Sequence, residues 1–154
     1  MRRDRPLLLV FWAAWCAACS EEAPALRRLK TQYGERLRMA GIAAKEGETE
    51  EAVRTKARVL RFNYPIIYDG DDSLRASFNI RLIPQLLLVS GDGRVLMRTM
   101  DLDSMERKLA EMLPPSPRPI PRPHPHRFPP RTHPQNTPPP PPSQPPFLPR
   151  PALA

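Results

Sequence analysis

The sequence predicts an α/β fold in which a parallel strand–helix–strand half and an antiparallel strand–strand–helix half share one sheet. Three observations carry that reading. Leu7–Trp12 is a continuous apolar run of strand length, the pattern of a strand covered on both faces of a sheet. Helical periodicity follows at once, with Ala23, Leu26, Leu29 and Tyr33 on one face. Further on, Ser90-Gly91-Asp92-Gly93 separates two short strand-like runs, Gln85–Ser90 and Arg94–Thr99, which is a hairpin signal.

The elements follow in order. Cys16 opens the first helix and Gly34 stops it after Tyr33. Arg36–Ala44 returns to strand, with Leu37, Met39 and Ile42 as its apolar members. Thr49–Arg61 fits a second helix, capped by Thr49, with Ala52, Val53, Ala57 and Leu60 on one face. A short strand, Pro65-Ile66-Ile67-Tyr68, comes next, and Asp71 or Asp72 can cap a short helix ending near Phe78. After the hairpin, Leu102, Met105, Leu109 and Met112 keep helical spacing, and Pro114-Pro115 ends the helix and the domain.

Composition divides the chain at the same place. Of its 23 prolines, 19 lie between Pro114 and Pro151, whereas both cysteines and all 16 acidic residues precede Pro114. Residues 1–113 read as one folded domain with 19 basic and 16 acidic residues. Residues 114–154 carry five Arg, no acid and proline at nearly every second position, so we expect a disordered, proline-rich tail with polyproline II stretches. The high pI belongs largely to that tail, which removes most of the support for a nucleic-acid partner. The tail also offers an alternative function, a non-enzymatic interaction protein whose prolines bind a partner. None of the five Arg stands at the spacing of either SH3-ligand orientation, however, and without Tyr the tail has no P-P-x-Y motif.

Cys16 and Cys19 are too close together to staple a fold, so they point to redox chemistry or metal. A cysteine at a helix N-terminus faces unpaired backbone N–H groups and the positive end of the helix dipole, which favour thiolate. Cys16 is therefore the expected nucleophile, exposed, and Cys19 the more buried thiol that attacks the mixed disulfide formed by Cys16. A zinc site would need two of His124, His126 and His133, all in the tail. Asp69-Gly70-Asp71-Asp72-Ser73 lacks the glycine and closing glutamate of a calcium loop and reads as a turn plus helix cap. The basic, then apolar N-terminus also has the outline of a signal peptide, but cleavage near Ala18 would remove Cys16, and the fold needs Leu7–Trp12 as its central strand. No apolar run is long enough to span a bilayer, so no membrane anchor is read in this chain.

Phe11-Trp12-Ala13-Ala14-Trp15-Cys16-Ala17-Ala18-Cys19 resembles the active-site segment of the thioredoxin-like superfamily. Cys19-Ser20-Glu21-Glu22-Ala23-Pro24 is similar to the C-x-x-E-x-P run of the TlpA/ResA type of extracytoplasmic thiol–disulfide oxidoreductase. Tyr64–Asp69, Ile80–Gln85 and Gly91–Gly93 follow that family in order. The resemblance implies a thioredoxin fold and a redox-active Cys16–Cys19 disulfide with no further cofactor. It implies a cis Pro84 that, with Ile83, faces the cysteines and presents backbone polar groups to an extended substrate. It also implies a catalytic Glu22 that exchanges protons with the cysteine pair, against the plainer reading of a solvated helix-dipole partner. Trp15 is expected to pack beside the site and limit access to it, and Trp12 to lie in the core. Where ordinary thioredoxins bury an aspartate just before Phe-Trp, this chain has Val10, and the Ala17-Ala18 spacer leaves the reduction potential open between about −270 and −120 mV. The resemblance further implies a disulfide-bearing protein substrate, an upstream dithiol electron donor, a monomer, and reduction of extracytoplasmic disulfides in the setting of cytochrome c maturation. Relatives usually carry an anchor or signal and an N-terminal hairpin before the central strand, where only five residues precede Pro6 here. A metal-binding module is the third reading.

Overall fold

The structure is a computed structural model and describes residues 5–114; the expectations for the proline-rich tail, its histidines and the extreme N-terminus lie outside those residues. Along the chain run β1 (Leu7–Trp12), α1 (Ala17–Tyr33), β2 (Arg38–Ala44), α2 (Glu50–Val59), β3 (Ile66–Asp69), α3 (Ser73–Ser77), β4 (Gln85–Val89), β5 (Val95–Thr99) and α4 (Leu102–Met112). The five strands form one sheet in the order β3-β2-β1-β4-β5. β1 pairs parallel with β2 and β2 with β3, while β4 runs antiparallel to both β1 and β5. This is the mixed sheet of a thioredoxin fold, a βαβ half joined to a ββα half.

Side-chain alternation along the strands divides the core into two layers. Leu8 and Val10 of β1, Met39 of β2, and Leu86 and Leu88 of β4 pack under α1 (Leu26, Leu29, Tyr33) and α4 (Met105, Leu109). On the opposite face, Leu9, Phe11, Ile42, Leu87 and Val89 meet Ile80, Leu74 of α3 and Phe78. Phe11 and Phe78 meet edge to face, with ring centroids 5.8 Å apart. Each fully buried aliphatic side chain here contributes about 1.5–3 kcal/mol relative to exposure.

Element ends differ from the sequence reading where backbone geometry intervenes. β2 begins at Arg38, because Gly34, at φ +52°, ends α1 and a 3-10 turn occupies Gly34–Arg36. Thr49 does cap α2, its hydroxyl accepting the Ala52 N–H at 3.1 Å, but the helix stops at Val59. Asp72 is the N-cap residue of α3, in the left-handed region at φ 57°, but its side chain makes no cap bond. Asp71 accepts the Ser73 N–H at 3.1 Å, and the buried Asp69 accepts from Leu74 at 3.1 Å and Arg75 at 2.8 Å. Two backbone donors from the first turn offset the cost of burying that carboxylate.

Gly41 of β2 leaves little room for a side chain. A Cβ there would lie 2.6 Å from Ile66 Cδ1, 3.2 Å from Trp12 Nε1 and 3.3 Å from Tyr64 Cε2. Gly41→Ala should therefore destabilise the protein by about 1–3 kcal/mol through overpacking. Urea unfolding checks this, the expected result being a lower midpoint at unchanged slope. A midpoint equal to or above wild type would contradict the packing described.

Candidate active site

β1 delivers the chain to the site. Past Trp12 the Cys16 N–H turns back to the Ala13 carbonyl at 3.1 Å, and Cys16, with extended backbone angles, becomes the N-cap of α1. Its sulfur accepts the Cys19 N–H at 3.2 Å. The first-turn N–H groups of a helix have no intrahelical partners and give its end a partial positive charge, so a thiolate on Cys16 would sit where negative charge is stabilised. Cys16 and Cys19 form a disulfide with Cα atoms 5.3 Å apart.

The expected exposure of Cys16 is corrected by the structure. Cys16 is 5% exposed, hardly more than Cys19 at 3%. Trp12, Ala13, Ala43 of β2 and Val53 of α2 close around the pair, with Ala14, Tyr68 and Ile83 at its border. Trp12 is in the core as expected. Trp15, next to Cys16 in the chain, is 56% exposed. Leu82 is exposed as well.

The Ile83–Pro84 peptide bond is cis. Pairing of Phe11 with Gln85 at the end of β1 brings Pro84, which is buried, to the level of Trp12. Ile83 packs against the cluster that contains both cysteines. The structure thus sets Ile83, which precedes the cis Pro84, against the cluster that holds Cys16 and Cys19.

Glu22 lies one helical turn beyond Cys19 and is half-buried, while Glu21 beside it is exposed. Its Oε2 is buried without a hydrogen-bond partner among the described residues. Burial first, and the Asp101 charge second, push its carboxyl above the ordinary range. The Tyr64 hydroxyl is likewise buried without a partner among the described residues, and burial is the main reason that its proton is held more tightly than in an ordinary tyrosine. Tyr64 and Asp101 were not singled out by spacing; an Asp preceding a helical pattern signals only a cap. Among the described residues no group of three or more His, Cys, Asp or Glu comes together in a way that could hold a metal. Of the five residues Asp69–Ser73, Asp69 and Asp71 accept backbone N–H groups from the first turn of α3.

The profile of the Redoxin family matches residues 2–113. The thioredoxin-like protein YneN of Bacillus subtilis is 29% identical over 111 residues, covering 70% of this chain and 65% of its own length. The thiol-disulfide oxidoreductase ResA of Geobacillus kaustophilus is 27% identical over 115 residues, covering 73% and 66%. The chain thus spans just under two thirds of these relatives. Among solved structures, a thiol-disulfide oxidoreductase from Bacteroides fragilis is similar at TM-score 0.66 and 28% identity, covering 73% of this chain and 86% of that one. A secreted Mycobacterium tuberculosis disulfide oxidoreductase homologous to E. coli DsbE shares the fold at TM-score 0.62 and 22% identity, covering 70% and 82%.

The raised proton affinity of Glu22 has a consequence for stability. A carboxyl that holds its proton more tightly when folded stabilises the native state below its unfolded pKa and loses that contribution as pH rises through the folded one. Glu22→Gln removes the loss, so the variant should gain stability relative to wild type as pH rises from 4 to 7. Thermal or urea unfolding across that range is the measurement. A difference that stays constant or shrinks with rising pH would contradict the burial of Glu22.

Proposed function

The chain belongs to the Redoxin family, and on that premise we propose that it is a thiol–disulfide oxidoreductase that reduces protein disulfides through Cys16 and Cys19. One observation carries the reading: the cysteine pair closes a disulfide across the first turn of α1, with Cys16 as the cap. In the reduced protein the Cys16 thiolate attacks one sulfur of a substrate disulfide. The substrate S–S bond breaks, its other sulfur leaves as a thiolate that takes a proton from water, and a mixed disulfide joins Cys16 to substrate. Cys19 then gives up its thiol proton and attacks Cys16 Sγ, releasing the second substrate thiol and leaving the Cys16–Cys19 disulfide. An upstream dithiol returns two electrons and two protons, one proton going to Cys19 and the other to the hydroxide left by the first step, so that Cys16 is again a thiolate.

Glu22 is the group proposed to exchange the Cys19 proton. An ordinary carboxylate is a poor acceptor for a thiol proton, since their reference pKa values differ by about 4 units, or about 6 kcal/mol. Burial narrows that gap by raising the carboxyl. The substrate is proposed to lie extended along Ile83 and Pro84, with exposed Trp15 and Leu82 as apolar contacts beside it. The acting unit is proposed to be a monomer. No helix among the described residues is long and apolar enough to cross a membrane. The kinship with ResA, together with the secreted M. tuberculosis protein, supports work outside the cytoplasm.

Two measurements test the assignment. Limited alkylation of the reduced protein near neutral pH should label Cys16 before Cys19, because only Cys16 sits at the cap; faster labelling of Cys19 would reverse the roles. With insulin as substrate and dithiothreitol as donor, Cys16→Ser should lose at least about 100-fold in disulfide exchange. Cys19→Ser should instead accumulate a mixed disulfide visible by mass spectrometry. Full turnover by Cys16→Ser would end the proposal.

A further inference from the structure

Two side chains at the border of the cysteine pair, Ile83 and Tyr68, belong to segments that one guanidinium ties together. Ile83 packs against the cluster that holds Cys16 and Cys19, and also against the cluster on the other side of it that contains Ile80, where Leu74 and Phe78 pack as well. Tyr68 of β3 packs against the same cysteine cluster, and its hydroxyl donates to the Glu48 carbonyl at 2.8 Å. Arg75 of α3 is bonded to both segments. Its Nε donates to the Ile80 carbonyl at 3.1 Å, three residues before Ile83, and its Nη1 pairs with the Glu46 carboxylate, two residues before Glu48.

The local backbone explains why arginine is needed there. The chain leaves α3 through Asn79, in the left-handed region at φ 51°, and the Ile80 N–H bonds back to the Arg75 carbonyl at 2.9 Å. The carbonyls that follow the helix have no helical partner. Arg98 of β5 donates to those of Phe78 at 2.7 Å and Asn79 at 3.2 Å, and Arg75 takes that of Ile80. A guanidinium can give Nε to one acceptor and Nη1 to another at a fixed angle, which a lysine ammonium cannot reproduce. Of the ion pairs among the described residues, Arg75–Glu46 is the one whose two side chains are least exposed, at 21% and 28%, so water and salt screen it less than the others.

We propose that Arg75 and Glu46 are positioning residues for Ile83. Their ion pair ties the loop after β2 to the root of the Ile80–Pro84 segment, and so fixes where Ile83 presents its backbone to an extended substrate. The inference rests on the proposed reduction of protein disulfides along Ile83 and Pro84. Without the Arg75 side chain the Ile80 carbonyl loses its donor and Glu46 its counter-charge, and the segment keeps only the Arg98 bonds at its start. The cysteine pair is held by separate contacts, the Cys19 N–H on Cys16 Sγ and the packing of Trp12 and Val53. Loss of the tie therefore weakens the grip on a polypeptide more than it alters the dithiol.

Two substrates separate positioning from stability. Insulin offers a disulfide on a polypeptide, whereas 5,5′-dithiobis(2-nitrobenzoate) is a small disulfide with no backbone to bind. The reduced full chain is mixed with each in single turnover, and the ratio of the two rate constants is read for wild type, Arg75→Gln, Glu46→Gln and the double variant. The insulin-to-small-disulfide ratio should fall about 10-fold in Arg75→Gln. It should fall in the same direction in Glu46→Gln, which leaves the Arg75–Ile80 bond in place. The double variant should lose no more than Arg75→Gln alone, because both substitutions break one tie. A fold loosened as a whole lowers both rates together and leaves the ratio where it was. An unchanged ratio in both single variants, or losses that multiply in the double variant, would overturn the proposal. If the wild-type chain reduces both substrates and the ratio does not move, this inference alone fails; if it reduces the small disulfide but not insulin, the reading beneath it fails and takes this inference with it.

Discussion

β1 is hydrogen-bonded along both edges and covered on both faces, and the geometry of the site follows from that double burial. A strand in that position has no solvent side, so every residue from Leu8 to Trp12 must be apolar. It also has to end inside the molecule. On the β4 side the ladder stops at Phe11–Gln85, since Pro84 has no N–H to continue it. On the β2 side it stops one residue later, at Trp12–Ala43. The chain then turns through Ala13 and meets the first turn of α1 at the point where the sheet gives out. The unpaired N–H groups of α1 and the end of the central strand come together there, and Cys16 is the residue between them.

Two electrostatic effects oppose each other at that junction. The helix terminus favours charge on Cys16, whereas the surrounding Trp12, Ala43 and Val53 exclude water and disfavour it. Cys16 gains from both the terminus and the Cys19 amide; Cys19, already inside the helix, has only the burial. This difference, more than the small difference in exposure, distinguishes the two sulfurs. Val10 places no carboxyl inside the sheet, so the acid nearest to Cys19 along α1 on the inner face is Glu22, approaching from the helix. Burial there holds its carboxyl above the ordinary range.

What the sequence made legible was periodic or punctuated. Leu7–Trp12, the Ala23–Leu26–Leu29–Tyr33 spacing, the Thr49 cap and the Ser90–Gly93 turn each leave a local mark, and each forms as read. The cysteine spacing and the run through Pro24 were enough to bring the family into view. The role of Asp69, which accepts two first-turn amides of α3 from the end of β3, is not legible because three aspartates in a short segment look equivalent; only burial selects one. The burial of Cys16 was not legible either, since α2 and β2 produce it from across the sheet.

The central claim is that Cys16–Cys19 is a working redox couple and not a structural staple. Equilibrating the protein in dithiothreitol or glutathione buffers of graded potential, and counting free thiols at each, tests it most directly. The account predicts one two-electron transition with a midpoint between about −270 and −120 mV, as in dithiol oxidoreductases. A midpoint below about −300 mV, the range of structural disulfides, would contradict it.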